Sequence, residues 1–114
     1  MSATIFSKII DGEIPAEKLH EDEHCIVIRD INPQAPIHLL VIPRNPIASL
    51  STLSPEHAAL MGHVTWIASE LAKKLGFSEQ GFRLVWNCNQ HGGQEVPHLH
   101  LHVLAGRQMN WPPG

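Results

Sequence analysis

The sequence predicts an α+β fold with a mainly antiparallel sheet, and the order of its apolar segments is the main reason. Short runs of β-branched and apolar residues lie on both sides of one long amphipathic stretch. Strands grouped before and after a helix favour antiparallel pairing. The chain has 114 residues, the usual size of one domain. We therefore expect residues 1–114 to form a single domain.

The long amphipathic stretch, residues 54–75, predicts the main helix. Ser54 is a good N-cap, and Pro55 suits the first helical position. Gly76 supplies the usual stop. Apolar residues at helical spacing form one stripe, which comprises Leu60, Met61, Val64, Ile67, Ala68, Leu71 and Leu75. A second, shorter apolar stretch at residues 5–10 predicts a short helix.

Four apolar runs predict strands, at residues 25–29, 38–42, 82–87 and 98–104. Prolines mark the connections around the second run, because proline cannot donate to a sheet ladder. These prolines are Pro33, Pro36, Pro43 and Pro46.

The composition excludes several classes of protein. A net charge of −3 argues against a generic nucleic-acid surface, and no apolar run approaches the roughly 18 residues of a membrane helix. The two cysteines, Cys25 and Cys88, are too far apart for a disulfide scaffold and are typical of a reducing compartment. We therefore expect a cytoplasmic protein. Nine histidines outnumber the eight lysines and arginines, which indicates metal binding, a pH response or imidazole chemistry.

The run at residues 98–104 places three histidines on one face of a strand. Side chains alternate across a strand, so His98, His100 and His102 share a face, and Leu99 and Leu101 share the other with Val103. One interpretation is a solvated face on an edge strand. Such a face can carry three histidines, but other polar residues would serve it equally well.

A metal site is a second interpretation, since imidazole is a common zinc ligand. However, the Cα atoms of His98 and His102 would lie roughly 13 Å apart along a strand, so one ion would need another ligand, such as His38. The third interpretation is covalent catalysis, in which a neutral imidazole attacks phosphorus. We favour this third interpretation and expect neither a metal nor another cofactor.

The polar loop before the triplet, residues 87–94, contains Gly92 and Gly93. Paired glycines allow a ligand to approach the backbone, and backbone N–H groups suit an anion. Directly before the histidine strand, the loop predicts the rim of an anion pocket.

Together these segments resemble the histidine triad (HIT) superfamily. The signature is His98-Leu99-His100-Leu101-His102-Val103-Leu104, preceded by Gly92-Gly93-Gln94-Glu95-Val96 and followed by Gly106-Arg107-Gln108-Met109. The final Trp111-Pro112-Pro113-Gly114 is similar to the end of the histidine triad nucleotide-binding branch. The resemblance covers nearly the whole chain.

The resemblance implies a HIT-like fold with a five-stranded antiparallel sheet, one long and one short helix, and a homodimer with a joined sheet of ten strands. It implies hydrolysis of purine nucleoside phosphoramidates, of the adenosine 5′-monophosphoramidate and aminoacyl- or lysyl-adenylate type. A dinucleotide polyphosphate hydrolase and a nucleotide-binding scaffold with weak catalysis are the alternatives. The expected partners are a purine nucleotide and a second subunit, with neither nucleic acid nor membrane.

The resemblance also assigns roles to individual residues. His100 is the expected nucleophile, which His98, His102 and His38 surround. The expected substrate-binding residues are Ile5, Phe6, Ile9 and Ile31 for the base, Asp30 for the ribose, Asn87, Gly93 and Val96 for the phosphate, Glu95 near the leaving amine, and Trp111 at the partner's site. Glu95 stands where many relatives carry serine, so the rate and the leaving-group preference are left open.

The other histidines carry no expected role in catalysis. His57 and His63 are predicted on the solvent side of the long helix, and His20 and His24 flank an acidic turn. His91 lies in the loop near the expected site.

Overall fold

The fold is a five-stranded antiparallel sheet with one helix packed on each face. The structure is a computed structural model that describes residues 3–114, so Met1 and Ser2 of the expected domain lie outside the described residues. The helices are α1 (Ile5–Ile10), α2 (Ala58–Leu75) and α3 (Asn89–Gly92). The strands are β1 (His20–Glu21), β2 (Cys25–Arg29), β3 (Ile37–Pro43), β4 (Phe82–Val85) and β5 (Leu101–Ala105). Their order in the sheet is β1-β2-β3-β5-β4, which confirms the fold class.

The core on one face of the sheet is formed with α2. This helix contributes the inner part of the predicted apolar stripe, and alternate residues of β2, β3 and β5 meet it. The buried members are Cys25, Val27, Leu39, Val41, Val64, Ile67, Ala68, Leu71, Ala72, Phe77, Leu101, Val103 and Ala105. The apolar side of the histidine run therefore belongs to the main core.

The opposite face carries a smaller core and α1. Phe6 and Ile9 of α1 pack on the other alternate residues of β2 and β3, which are Ile26, Ile28, Leu40 and Ile42. A capping box starts α1: the Thr4 hydroxyl accepts from the Ser7 N–H at 3.1 Å, and the Ser7 hydroxyl accepts from the Thr4 N–H at 2.9 Å. His38 and His102 share this face with Leu40.

Three of the predicted boundaries shift by two residues or more in the structure, and one of them is the end of β4, which is Val85 rather than residue 87. The chain at Pro55–His57 forms a 3₁₀ turn, so the regular α2 begins at Ala58 rather than near residue 54. Strand β5 begins at Leu101, so His98 and His100 precede it. The N–H of Leu99 donates to the Ile47 carbonyl at 2.8 Å instead of joining the sheet ladder.

Two elements had no strong signal in the sequence. Strand β1 has only two residues and pairs through His20 with Val27 of β2. Helix α3 is a single turn that follows Cys88 and is capped by Gly93, whose φ of +77° favours glycine. Among residues 3–114, no helix is both long and apolar enough to cross a lipid bilayer.

Gly106, directly after β5, is expected to be intolerant of a side chain. Its φ is +92°, and a Cβ there would lie 2.8 Å from the Cβ of Pro36. We predict that Gly106→Ala destabilises the fold by about 2–4 kcal/mol, from left-handed strain and overpacking together. Urea unfolding would measure this. Gly81→Ala is the matched control, because Gly81 has a φ of +96° and a Cβ there would have no atom within 4 Å. This variant should lose only the stability that corresponds to the backbone strain. Equal losses of stability in the two variants would show that the contact with Pro36 does not contribute.

Candidate active site

The register of β3 against β5 brings two histidines together. His38 lies opposite Leu104 and Leu40 lies opposite His102, so the two imidazoles are diagonal neighbours on one face of the sheet. The Nε2 of His38 is 2.9 Å from the Nδ1 of His102. The Asp30 carboxylate, directly after β2, lies 3.4 Å from the same His38 nitrogen.

One backbone donor determines which ring nitrogen carries the hydrogen in His38 and, through His38, in His102. The N–H of Gln34 donates to the Nδ1 of His38 at 3.0 Å, so a neutral His38 carries its hydrogen on Nε2. That N–H can donate to the Nδ1 of His102. A neutral His102 then carries its own hydrogen on Nε2. The hydrogen bonds therefore run in one direction, from Gln34 through His38 to His102, and the Nε2 of His102 is left as a donor.

His100 is held in the opposite tautomer. Its Nδ1 lies 2.8 Å from the His98 carbonyl oxygen, which can only accept, so the Nδ1 carries the hydrogen. The Nε2 of a neutral His100 therefore keeps a free lone pair. The ring is 8% exposed, and the ring of Phe6 packs against it edge-on with centroids 4.8 Å apart. A neutral His100 thus presents an oriented nitrogen with a free lone pair.

His98 has a different environment from the other two histidines of the triplet. Its Nε2 donates to the Pro43 carbonyl at 2.7 Å, and its ring is 1% exposed. Within residues 3–114, its Nδ1 has no hydrogen-bond partner. The ring thus anchors the segment before β5 to the end of β3. Its main-chain carbonyl, rather than its ring, contacts the ring of His100.

Burial keeps the surrounding imidazoles neutral. It lowers the pKa of His102 to about 4, and the neighbouring His100 and His38 add to that effect while Asp30 opposes it. Burial also lowers the pKa of His38, again against the Asp30 charge. For His98, burial lowers the pKa against the hydrogen bond to Pro43. Neutral donors can approach an anion without the cost of burying a full charge.

A cavity of about 430 Å³ opens in front of these side chains, which is within the usual range for small-molecule sites. One side is apolar and the other carries polar and imidazole groups. The lining includes Ile5, Phe6, Ile9, Asp30, Ile31, His38, Asn87, Gly93, Glu95, Val96, His100 and His102. Of the residues expected at the site, the ring of His98 and Trp111 lie outside this lining. Trp111 is 82% exposed in the C-terminal tail.

The side chain of Gln94 fixes the loop that forms one rim of this cavity. Its amide nitrogen donates to the carbonyls of Ala48 at 2.7 Å and Val96 at 2.9 Å. Its amide oxygen accepts from the Asn89 N–H at 3.0 Å. Three bonds from one side chain thus join α3, the segment before β5 and the loop after β3. The sequence indicated the loop, but it gave no sign of this role for Gln94 or of the Gln34 donor.

Within residues 3–114, two groups of side chains have the geometry to hold a metal ion. Ligand atoms of Asp30, His38 and His102 lie within 4.8 Å of one another, and so do those of His20, Asp22 and Cys25. In the first group, an ion would have to displace the hydrogen bond between His38 and His102. Among the described residues, the three histidines of the triplet do not form one such group.

The prediction that His63 lies on the solvent side of the long helix was wrong. His63 of α2 is only 26% exposed, because its Nε2 lies 2.8 Å from the Oδ2 of Asp22. His20 of β1 lies 2.8 Å from the same carboxylate oxygen. Asp22 therefore ties the β1–β2 turn to α2, which the helical periodicity alone could not show.

Comparison with known proteins gives consistent matches over the whole described fold. The HIT domain family matches residues 11–109. An uncharacterized HIT-like protein of Synechocystis is 53% identical over 111 residues, which cover 97% of this chain and 96% of that protein. The crystal structure of a HIT family hydrolase from Legionella pneumophila has a TM-score of 0.96 at 49% identity, and the match covers 98% of this chain and 100% of that chain. A histidine triad nucleotide-binding protein from Candida albicans has a TM-score of 0.81 at 30% identity, covering 96% and 83%.

The fold and the buried imidazole cluster define the class, a small α+β protein similar to hydrolases. The chain belongs to the HIT domain family. The assignment to the nucleotide-binding branch within that family stays a prediction.

The low pKa of His102 predicts a loss of stability in mild acid. The folded protein holds this pKa near 4 and the unfolded chain near 6.5, so the unfolded chain binds the proton first. Stability from His102 is thus complete above pH 6.5 and falls as the pH drops to 4. Allowing for partial exposure of the ring, we expect a loss on the order of 2 kcal/mol.

Urea unfolding between pH 7 and pH 4 measures this effect. His102→Gln should flatten the pH dependence, whereas the exposed His91 offers a control, His91→Gln, that should leave it unchanged. If the pH dependence of stability were unaltered in His102→Gln, the acid effect could not be assigned to His102.

Proposed function

We propose that the chain hydrolyses purine nucleoside phosphoramidates, with His100 as the nucleophile. The observation that carries this proposal is the free Nε2 lone pair of His100 at the cavity, with the Nδ1 hydrogen held by the His98 carbonyl. The similarity to a HIT family hydrolase and to a histidine triad nucleotide-binding protein supports the substrate class. Adenosine 5′-monophosphoramidate and aminoacyl- or lysyl-adenylates are the proposed substrates.

In the proposed first step, the Nε2 of His100 attacks the α-phosphorus and the P–N bond breaks. The amine leaves with the bonding electron pair and takes a proton from solvent, which gives a nucleotidyl-histidine. The ring of His100 becomes positively charged when its Nε2 is bonded to phosphorus. The His98 carbonyl, 2.8 Å from the Nδ1, stabilises that charge by accepting its N–H.

In the second step, water attacks the phosphorus, the bond to His100 breaks, and the proton that the water loses passes to solvent. The nucleoside monophosphate is released and His100 regains its lone pair. His102 can donate from its Nε2 to a phosphate oxygen in both steps, because its Nδ1 is engaged by His38. This donor stays neutral, since burial keeps the pKa of His102 near 4.

The two ends of the cavity suit the two ends of a nucleotide. Ile5, Phe6 and Ile9 of α1, with Ile31, supply apolar surface for a base. Asp30 lines the same cavity beside His38, where its carboxylate can accept from the ribose hydroxyls. Its Oδ1 is already held by the Asn32 N–H at 2.8 Å, which orients it. Asn87, Gly93 and Val96 also line the cavity, and they are the proposed contacts of the phosphate.

Replacement of the nucleophile tests the proposed reaction. An amide N–H in His100→Asn can still donate to the His98 carbonyl, but the variant lacks the Nε2 lone pair. We expect hydrolysis of a fluorogenic adenosine phosphoramidate to fall by at least ~10³-fold, with folding retained. Steady-state kinetics and circular dichroism provide the two measurements.

His57→Asn is the matched control for this variant. The Nδ1 of His57 accepts from the Ser54 N–H at 3.1 Å, which an asparagine oxygen can replace, and the residue lies outside the cavity lining. Activity of this control should match that of the unmodified chain. A folded His100→Asn variant that keeps most of its activity would exclude His100 as the nucleophile.

We further propose a cytoplasmic homodimer in which two sheets join along β4. Strand β4 is the outer strand next to β5, and within residues 3–114 its other edge has no partner strand. The Nη2 of Arg83 in β4 donates to the Asn110 carbonyl at 3.0 Å, so the tail leaves the protomer at that same edge. An exposed Trp111 at this point can reach a subunit joined there. The two unpaired cysteines support the reducing location.

Sedimentation velocity tests the homodimer, whose measured mass should be twice the 12.7 kDa of one chain. Removal of residues 111–114 should leave the dimer intact but change the relative kcat/KM for different leaving amines, because the tail would line the partner's site. A monomeric chain, or identical amine preferences after truncation, would contradict this arrangement.

A further inference from the structure

A second cluster of metal-binding side chains lies on the other face of the sheet, away from the triad. We call His20, Asp22, Cys25 and His63 the Asp22 cluster. The Nε2 atoms of His20 and His63 each lie 2.8 Å from the Oδ2 of Asp22, and the Sγ of Cys25 lies 3.7 Å from it. The four side chains come from β1, the following turn, β2 and α2. None of them lines the active-site cavity.

The backbone presents the Asp22 carboxylate in a fixed orientation. Its Oδ1 accepts from the N–H groups of His24 at 2.7 Å and Cys25 at 2.9 Å. Its Oδ2 is therefore left for the imidazoles and the thiol. The side chains of His20, Asp22 and His63 are 24–29% exposed, so solvent reaches the cluster from one side. Cys25 is fully buried and forms the opposite wall.

The separations between these atoms suit a tetrahedral ion. Ligand atoms of His20, Asp22 and Cys25 lie within 4.8 Å of one another. Zinc bonds of roughly 2.0–2.3 Å require neighbouring ligands to be about 3.3–3.7 Å apart. An ion here would displace the hydrogen bonds from His20 and His63 to the Oδ2 of Asp22. Small side-chain rotations would then bring the atoms of His20, Asp22 and Cys25 onto one ion. The Nε2 of His63, which contacts Asp22 but lies outside that group of three, would move in to fill the fourth position.

The chemistry of the cluster selects among metals. A thiolate, two imidazoles and one carboxylate favour Zn²⁺ or Co²⁺ over Mg²⁺ or Ca²⁺, which prefer oxygen ligands. The thiolate and the carboxylate together carry two negative charges, which balance a divalent ion. The guanidinium of nearby Arg44 is itself paired with Glu21 at 3.2 Å.

We propose that the Asp22 cluster is a binding site for Zn²⁺, held by the Nε2 of His20, the Oδ2 of Asp22, the Sγ of Cys25 and the Nε2 of His63. On binding, the thiol proton passes to solvent and both imidazoles carry their hydrogen on Nδ1. The ion would join the β1–β2 turn to α2, independently of the reaction at His100.

Cobalt titration of the purified chain tests this site, because Co²⁺ replaces Zn²⁺ and gives a thiolate charge-transfer band. The chain has only two cysteines, so Cys88→Ser is the matched control for Cys25→Ser. We expect the band in the unmodified chain and in Cys88→Ser, and its loss in Cys25→Ser. Excess Zn²⁺ should remove the band by competition. A band that is absent from the unmodified chain, or that depends on Cys88, would overturn the proposal.

A second pair of variants covers the case in which Cys25→Ser does not fold. His20→Gln and His63→Gln change half-buried side chains, and each should weaken Co²⁺ binding at least tenfold. Zn²⁺ should raise the Tm of the unmodified chain and have a smaller effect in both variants. Unchanged Co²⁺ affinity in His20→Gln would also overturn the site. The Asp30, His38 and His102 group lacks a thiol, so it cannot produce the band.

Discussion

The pairing register of β3 with β5 is the constraint on which the rest of the structure depends. It sets His102 opposite Leu40, and therefore places His38 within hydrogen-bond distance of His102. A slip of one residue would turn every side chain of β5 to the other face. His102 would then enter the core under α2, and Leu101 would replace it in the cavity. The same register thus specifies both the hydrophobic core and the polar site.

The sheet separates two tasks between its faces. The α2 face holds the larger core, whereas the α1 face combines a smaller core with the site. Phe6 belongs to both parts of the α1 face, since it packs on the apolar residues of β2 and β3 and also contacts the ring of His100. The orientation of the proposed nucleophile therefore depends on ordinary hydrophobic packing as well as on hydrogen bonds.

Much of this arrangement could be predicted from the sequence, because periodicity and turn residues report local structure directly. The alternation at residues 98–104 places Leu99, Leu101 and Val103 on the buried face, and the stripe from Leu60 to Leu75 identifies α2. The sequence could not reveal the roles of Gln34, Gln94 or the His98 carbonyl, since main-chain and amide hydrogen bonds leave no periodic pattern. The Asp22 cluster was missed for a related reason. His63 and Asp22 are 41 residues apart, and only the packing of α2 on the sheet brings them together.

The central position of β5 has a kinetic consequence. Although β5 comes last among the strands, it lies between β3 and β4, and its contact with β3 joins residues 64 positions apart. Closing so long a loop costs entropy before any contact compensates for it, and non-local pairing of this kind slows folding. The hairpin of β2 and β3 can form early, but it carries only His38. The imidazole cluster therefore has no local precursor, because it forms only when β5 pairs with β3.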